Sequence, residues 1–117
     1  MGNAVPDVNA LSEIRAILGP KGYSDDQDVI TPWLTDWRGR FTGAAAALLS
    51  PATTEQVAAI VRIAAKYRLS LVPQGGNSGM VAGATPNSSG DQLILSMRRM
   101  NTISAIDADA GLITCEA

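Results

Sequence analysis

Val72-Pro73-Gln74-Gly75-Gly76-Asn77-Ser78-Gly79-Met80-Val81-Ala82-Gly83-Ala84-Thr85-Pro86 decides how this chain is read. Four glycines fall within nine residues, directly after the apolar run Leu69–Pro73 that reads as a buried strand. Glycines at this density leave backbone N–H groups without side chains in front of them. Successive free N–H groups curve into a concavity suited to a phosphate or pyrophosphate. Asn77 and Ser78 add short hydrogen-bonding side chains at the same place. The spacing is not the Gly-x-Gly-x-x-Gly that opens a dinucleotide-binding helix, and the lysine of a nucleoside-triphosphate loop is missing. On the residues alone, a phosphate-binding loop and a plain flexible connector remain open alternatives.

Upstream of the loop, Ala44–Leu49 is a short apolar run ended by Ser50-Pro51 and reads as a strand. Thr53 and Gln56 have the spacing of a capping box, and Val57, Ile60, Val61 and Ala64 recur at helical period. These features predict a helix over 54–67, with Arg62 and Lys66 on its solvated face. Strand, helix and the strand before the loop make a βαβ unit with parallel strands and a right-handed crossover. Downstream, Gln92–Ser96, Thr102–Asp107 and Leu112–Glu116 read as three short strands, the last two joined by a turn at Asp109-Ala110-Gly111. The fold class is α/β (α+β), a βαβ unit plus short extra strands.

Residues 1–32 read as a helical lead segment. Asn9 is the expected N-cap of a short helix carrying Leu11, Ile14, Ile17 and Leu18, stopped by Gly19-Pro20. The segment from Trp33 to Phe41 has no clean period and holds three of the five aromatic residues, so Trp33 and Trp37 are expected as packing anchors. Arg38 and Arg40 read as surface or inter-segment ion-pair partners, with contact to a bound phosphate as the less favoured role. Arg98-Arg99 reads as the solvated end of a strand. Asp25-Asp26 and Asp107/Asp109 read as turn residues, and no metal site is expected, since hard cations need several converging oxygens.

Composition narrows the function. The 117 residues carry a net charge of −2 and no histidine, and the pI is about 4.8. A nucleic-acid partner is not expected, because phosphate neutralisation needs clustered Lys and Arg. A Ser-His-Asp triad, a Cys-His dyad and His-ligated zinc are excluded within these residues. Cys115 is the only cysteine, so no internal disulfide forms, and it is expected as a small core residue. The start, Met1 to Pro6, lacks the basic and apolar regions of a signal peptide and the myristoylation pattern. No apolar run approaches the roughly 18 residues of a membrane span. A cytoplasmic location is the expectation from these features. The chain stops at Ala117 in or just after a strand, which suggests the N-terminal piece of a larger protein and self-association of the isolated chain through an open strand edge.

The loop resembles the first pyrophosphate-binding loop of the FAD-linked oxidases that share the vanillyl-alcohol oxidase and p-cresol methylhydroxylase fold. Within that superfamily it is most similar to the branch containing D-2-hydroxyglutarate dehydrogenase, D-lactate dehydrogenase and the glycolate oxidase D subunit. Asp36-Trp37-Arg38-Gly39-Arg40-Phe41, Ser50-Pro51-Ala52-Thr53-Thr54-Glu55-Gln56-Val57 and Ser96-Met97-Arg98-Arg99-Met100-Asn101-Thr102-Ile103 resemble the same branch. The resemblance covers residues 33–117, which it implies are the incomplete first half of a PCMH-type FAD-binding domain. It implies that Pro73, Gln74, Gly75, Gly76, Asn77, Ser78, Gly79 and Met80, with Gly83, hold the FAD pyrophosphate. Asn77 stands where covalently flavinylated relatives carry histidine, so the FAD is expected to be non-covalent. The implied activity is oxidation of a D-2-hydroxy acid, a small-molecule substrate, by hydride transfer to flavin. No residue here qualifies as the catalytic base, so the catalytic groups and the substrate domain are expected beyond Ala117. The alternatives are an FAD-dependent reductase of the UDP-N-acetylenolpyruvoylglucosamine reductase type and a small non-enzymatic βα interaction module.

Overall fold

The computed structural model describes residues 6–116. Four short strands, β1 (Tyr23–Ser24), β2 (Ala47–Leu49), β3 (Leu71–Gln74) and β4 (Leu93–Ser96), form one sheet in the order β1-β2-β4-β3. β2, β4 and β3 run parallel, with Ala47 opposite Leu93, and Leu71 also opposite Leu93. The two strands of the βαβ unit are therefore parallel as expected, but β4 lies between them rather than beside them. β4 is buried at all four positions, as the central strand of a covered parallel sheet should be. β3 is an edge strand, which is where Pro73, lacking an N–H, is tolerated. The antiparallel β1 was not foreseen, since two residues are too few to show a period.

The crossover helix α3 spans Thr54–Tyr67, matching the predicted bounds. Thr53 Oγ1 accepts from Gln56 N at 3.2 Å. The reciprocal arm is displaced by one residue: Gln56 Oε1 accepts from Ala52 N at 2.7 Å, and its Nε2 donates to Ile17 O at 3.3 Å. One glutamine thus caps α3 and ties it to α1 (Val8–Gly22). Ile60 and Ala64 are buried, with Val57 and Ile63 packed beside them. Val61 is exposed, because the buried stripe turns toward Ile63 instead.

α1 is capped by Asp7, not Asn9: Asp7 Oδ1 accepts from Asn9 N at 2.7 Å, so the helix starts two residues earlier than expected. Gly19, at φ 69° and ψ −177°, breaks the helix before Pro20, and a short further turn leads into β1. Ile14 and Leu18 of α1 join Leu49, Ile60, Leu93 and Leu95 in the main core. A smaller core on the other face gathers Ile30, Leu34, Ala45, Leu48 and Ile94, with Trp33 against it. Ile30 ends α2 (Gln27–Ile30), which Asp26 caps, and a single 3-10 turn, Thr31–Trp33, follows.

Several sequence expectations are corrected. Strand β2 is shorter than Ala44–Leu49, the preceding residues pairing only through Ala44 N to Asn87 O and Ala46 N to Gln92 O at 2.8 and 2.9 Å. The strands expected over 102–107 and 112–116 reduce to two antiparallel bridges, Ile103 to Cys115 and Asp107 to Leu112, around a turn with Gly111 at φ 68°. Every described residue of this arm from Asn101 onward is exposed, because no other strand among the described residues pairs with it. Cys115 is accordingly exposed and not a core residue. Trp37 is 66% exposed at the tip of a turn whose inward position is taken by Asp36. Arg38 and Arg40 form no ion pair among the described residues, where the two present are Arg15–Asp25 and Lys66–Glu13. The readings made on Met1–Val5 and Ala117 lie outside the described residues. No helix is long and apolar enough to cross a membrane among the residues described.

Candidate functional site

β3 and β4 end together, Gln74 opposite Ser96, so the glycine loop and the Met97–Met100 turn leave the sheet side by side at its carboxyl end. That end is where open parallel sheets place their ligand crevices. Here Gly75 and Gly76 line a cavity of about 380 Å³ whose other walls include Met97, Met100, Ile103 and Cys115. Cys115, distant from the loop in sequence, is thus its neighbour in space, brought there by the 101–116 arm.

The loop's own hydrogen bonding is sparse. Gln74 O accepts from Met97 N at 2.9 Å, and the next backbone bond is Thr85 N to Ala82 O at 3.1 Å. Among the described residues no N–H from Gly75 to Val81 donates to a backbone carbonyl. A Cβ built on Gly75, Gly76, Gly79 or Gly83 meets nothing within 4 Å, and none of the four has the left-handed φ that glycine favours. Neither packing nor backbone conformation in this chain calls for these glycines. What they provide is open space in front of unpaired N–H donors, which is what a diphosphate takes up. The left-handed residues of the loop are instead Asn77 at φ 54° and Ala82 at φ 60°.

Two side chains fix the loop's shape. Gln74 is 1% exposed, and its Nε2 donates to Trp33 O and Ala84 O, both at 3.0 Å. It therefore straps the two ends of the loop together and to the 3-10 turn. Gln74 Oε1 is buried without a partner among the described residues, and the amide is oriented by two carbonyls that only a donor nitrogen satisfies. Asn77 Nδ2 donates to Thr35 O at 2.8 Å. The segment carrying Trp33 and Thr35 is itself held by Asp36, whose Oδ1 accepts from Phe41 N at 2.7 Å. Backbone N–H groups, that of Phe41 above all, hold the Asp36 carboxyl below the usual carboxylate range against the opposing effect of its burial.

Of the nine residues singled out in the sequence, the structure puts Gly75 and Gly76 at the 380 Å³ cavity. Pro73 and Gly83 line a different groove, of about 410 Å³, along the free edge of β3 with Phe41 and Pro86. Ser78, Gly79 and Met80 are exposed on the loop's crest. Gln74 and Asn77 have their amide nitrogens engaged with the chain itself. Sequence reasoning missed Met97, Met100 and the arm as walls, and the parallel register of β3 and β4 is the signal that places the first two.

Residues 45–117 match the sequence profile of the family described as FAD binding domain. A probable mitochondrial D-2-hydroxyglutarate dehydrogenase of Oryza sativa subsp. indica is 37% identical over 107 residues, 92% of this chain and 19% of the rice protein. The mitochondrial D-2-hydroxyglutarate dehydrogenase of Danio rerio is 39% identical over 107 residues, 92% of this chain and 20% of that protein. The chain thus spans about a fifth of the length of these curated relatives. Among solved structures, p-cresol methylhydroxylase with substrate bound superposes with a TM-score of 0.70 at 28% identity, over 85% of this chain and 20% of that one. Both relatives are named as mitochondrial, which overturns the expectation of a cytoplasmic location. Composition and the lack of a long apolar run carry no information that separates the two compartments. The free N–H groups and open glycines at the sheet's carboxyl end fit the diphosphate of FAD.

Proposed function

Because the chain belongs to the FAD binding domain family, we propose that it supplies the first part of the flavin site of a dehydrogenase that oxidises a D-2-hydroxy acid to a 2-oxo acid. Residues 33–117 form the first half of the FAD-binding domain in this reading, with residues 1–32 as its helical lead. The small-molecule hydroxy acid meets the flavin through parts of the protein other than this chain, and self-association of the chain uses the exposed apolar arm. The observation that carries the proposal is the row of unpaired N–H donors behind glycines with empty space at their Cβ positions. The N–H groups of Gly75, Gly76, Ser78 and Gly79 hold the pyrophosphate. Pro73, Gln74, Asn77, Met80 and Gly83 complete the loop: Gln74 and Asn77 by shaping it, Met80 by flanking it. FAD, when bound, supplies the acceptor for the hydride of the carbinol carbon. The chain's own contribution is to bind and orient the diphosphate. It contains no histidine, so this chain makes no histidyl link to flavin, and in this reading its contacts with the cofactor are non-covalent.

Gly76→Val in the full-length protein tests the reading. The new side chain enters open space at an ordinary φ, so the fold survives it. It stands in front of the N–H donors, and losing one or two charge-assisted bonds of roughly 1.5–3 kcal/mol each weakens FAD binding by about one to four orders of magnitude. Purified Gly76→Val should be largely apoprotein with an unchanged circular dichroism spectrum. Arg62→Ala, on the solvated face of α3, should keep its flavin. Full FAD occupancy in Gly76→Val would return the loop to the status of a connector.

A further inference from the structure

Arg98 follows β4 by two residues and lines the 380 Å³ cavity together with Gly75 and Gly76. Its guanidinium carbon lies 5.2 Å from the centre of the Trp33 ring. The carbonyl of that same Trp33 accepts from Gln74 Nε2 at 3.0 Å. One residue thus holds the root of the glycine loop through its backbone and the guanidinium through its ring. A guanidinium held over an aromatic face by cation–π attraction keeps its N–H groups available to a further acceptor. No carboxylate lies within ion-pair distance of Arg98 among the described residues. The acid that shares the cavity, Glu116, accepts from Thr102 N at 2.8 Å across the arm. The other cations are placed elsewhere: Arg99 donates to Ser50 O at 2.9 Å, and neither Arg38 nor Arg40 lines the cavity.

A cation seated on an aromatic ring with no carboxylate partner among the described residues, at the cavity bordered by the loop's N–H donors, is the arrangement that recognises a diphosphate. We infer that Arg98 is the cation of the phosphate site, donating to a phosphate oxygen of the nucleotide diphosphate held by Gly75 and Gly76. Arg98 is exposed just past the end of β4, as the sequence reading has it; the phosphate role is added to that and rests on the FAD reading above.

The test uses full-length apoprotein titrated with FAD, ADP and riboflavin over a range of KCl concentrations. Arg98→Ala should weaken FAD and ADP binding about tenfold, the loss of one partly exposed charge-assisted bond. It should also flatten the fall of affinity with salt, since a removed cation leaves less to screen. Riboflavin, which has no phosphate, should bind both proteins alike. Arg98→Lys should restore the salt dependence and part of the affinity. If Arg98→Ala weakens FAD and riboflavin equally, or keeps the wild-type salt dependence, the arginine acts only through Trp33 and the inference fails. If Arg98→Ala binds FAD as wild type does while Gly76→Val has lost it, Arg98 is outside the site and the loop reading stands. If both variants bind as wild type does, the loop reading fails as well.

Discussion

Gly43 and Gly22 differ from the glycines of the 75–83 loop in what surrounds them. A Cβ on Gly43 would fall on the backbone carbonyl of Pro86, and one on Gly22 would come within 2.8 Å of Leu18 Cβ and 2.9 Å of the Arg99 guanidinium. Those two are glycine because two pieces of this chain cross there. A Cβ on any of the loop glycines would meet nothing within 4 Å among the described residues, and their φ values are ordinary. The chain accounts for the first pair and leaves the second group unexplained, which is the mark of residues chosen for something outside the chain. Glycine content alone does not separate the two kinds. The space at each Cβ does.

Gly43→Ala bears hardest on this comparison. The Pro86 carbonyl is backbone, and it cannot yield without moving the Ala44–Asn87 contact beside it. Overpacking of this kind costs about 3 kcal/mol. The apoprotein should therefore unfold at clearly lower urea concentration than wild type, whereas Gly76→Val apoprotein should unfold at the wild-type midpoint. Equal midpoints for the two variants would remove the distinction between the two sets of glycines.

Much of this architecture was legible beforehand, and the reasons are physical. α3 announced itself through a cap and an apolar stripe, two local signals that agree, and its bounds came out as read. The parallel strands followed from the crossover, but the insertion of β4 between them did not, because sheet order depends on long-range pairing that a local pattern does not encode. The arm from Asn101 to Glu116 alternates like a hairpin, yet it forms only two bridges, because a lone pair of strands has no sheet face to rest on. Trp37 and Cys115 were misread for a related reason: residue type predicts burial only on average, and a turn tip or an unpartnered arm overrides it. The glycine loop was legible as a loop leaving the end of a strand. The engagement of Gln74 and Asn77 with carbonyls some forty residues earlier was not, since nothing in the loop's own residues points to Trp33 or Thr35.

The segment between Trp33 and Thr42 holds the glycine loop through Trp33 O and Thr35 O and holds Gly43 through Leu34 O, and Asp36 is its internal brace. The Asp36 carboxyl is held below its ordinary value, so its charged form stabilises the fold. The contribution is complete above about pH 4, the unfolded carboxyl's range, and is lost as pH falls from there through the lower folded value. Asp36→Asn keeps an oxygen for Phe41 N but has no charge to lose. Its melting temperature should sit below wild type by a constant interval from neutral pH down to about pH 4. The interval should then shrink on further acidification. A difference that stays constant down to pH 2 would show that Asp36 contributes shape rather than charge.

The smallest effect belongs to Ala82. It sits at φ 60°, in the left-handed region, between loop glycines that do not use that region themselves. A residue with a Cβ in this conformation costs roughly 1–2 kcal/mol relative to right-handed backbone. Glycine at the same position removes most of that cost but gives the unfolded chain more freedom, which offsets part of the gain. Ala82→Gly should therefore raise the urea midpoint by the equivalent of about 0.5–1 kcal/mol. FAD affinity should stay within about twofold of wild type, because the turn made by Thr85 N to Ala82 O is kept and the donor N–H groups lie earlier in the loop. A gain in stability accompanied by a marked loss of FAD would mean that the strained alanine holds the loop in its binding shape. The loop would then owe its geometry to backbone strain as well as to Gln74 and Asn77, and its glycines would be only one part of what sets it apart from Gly43.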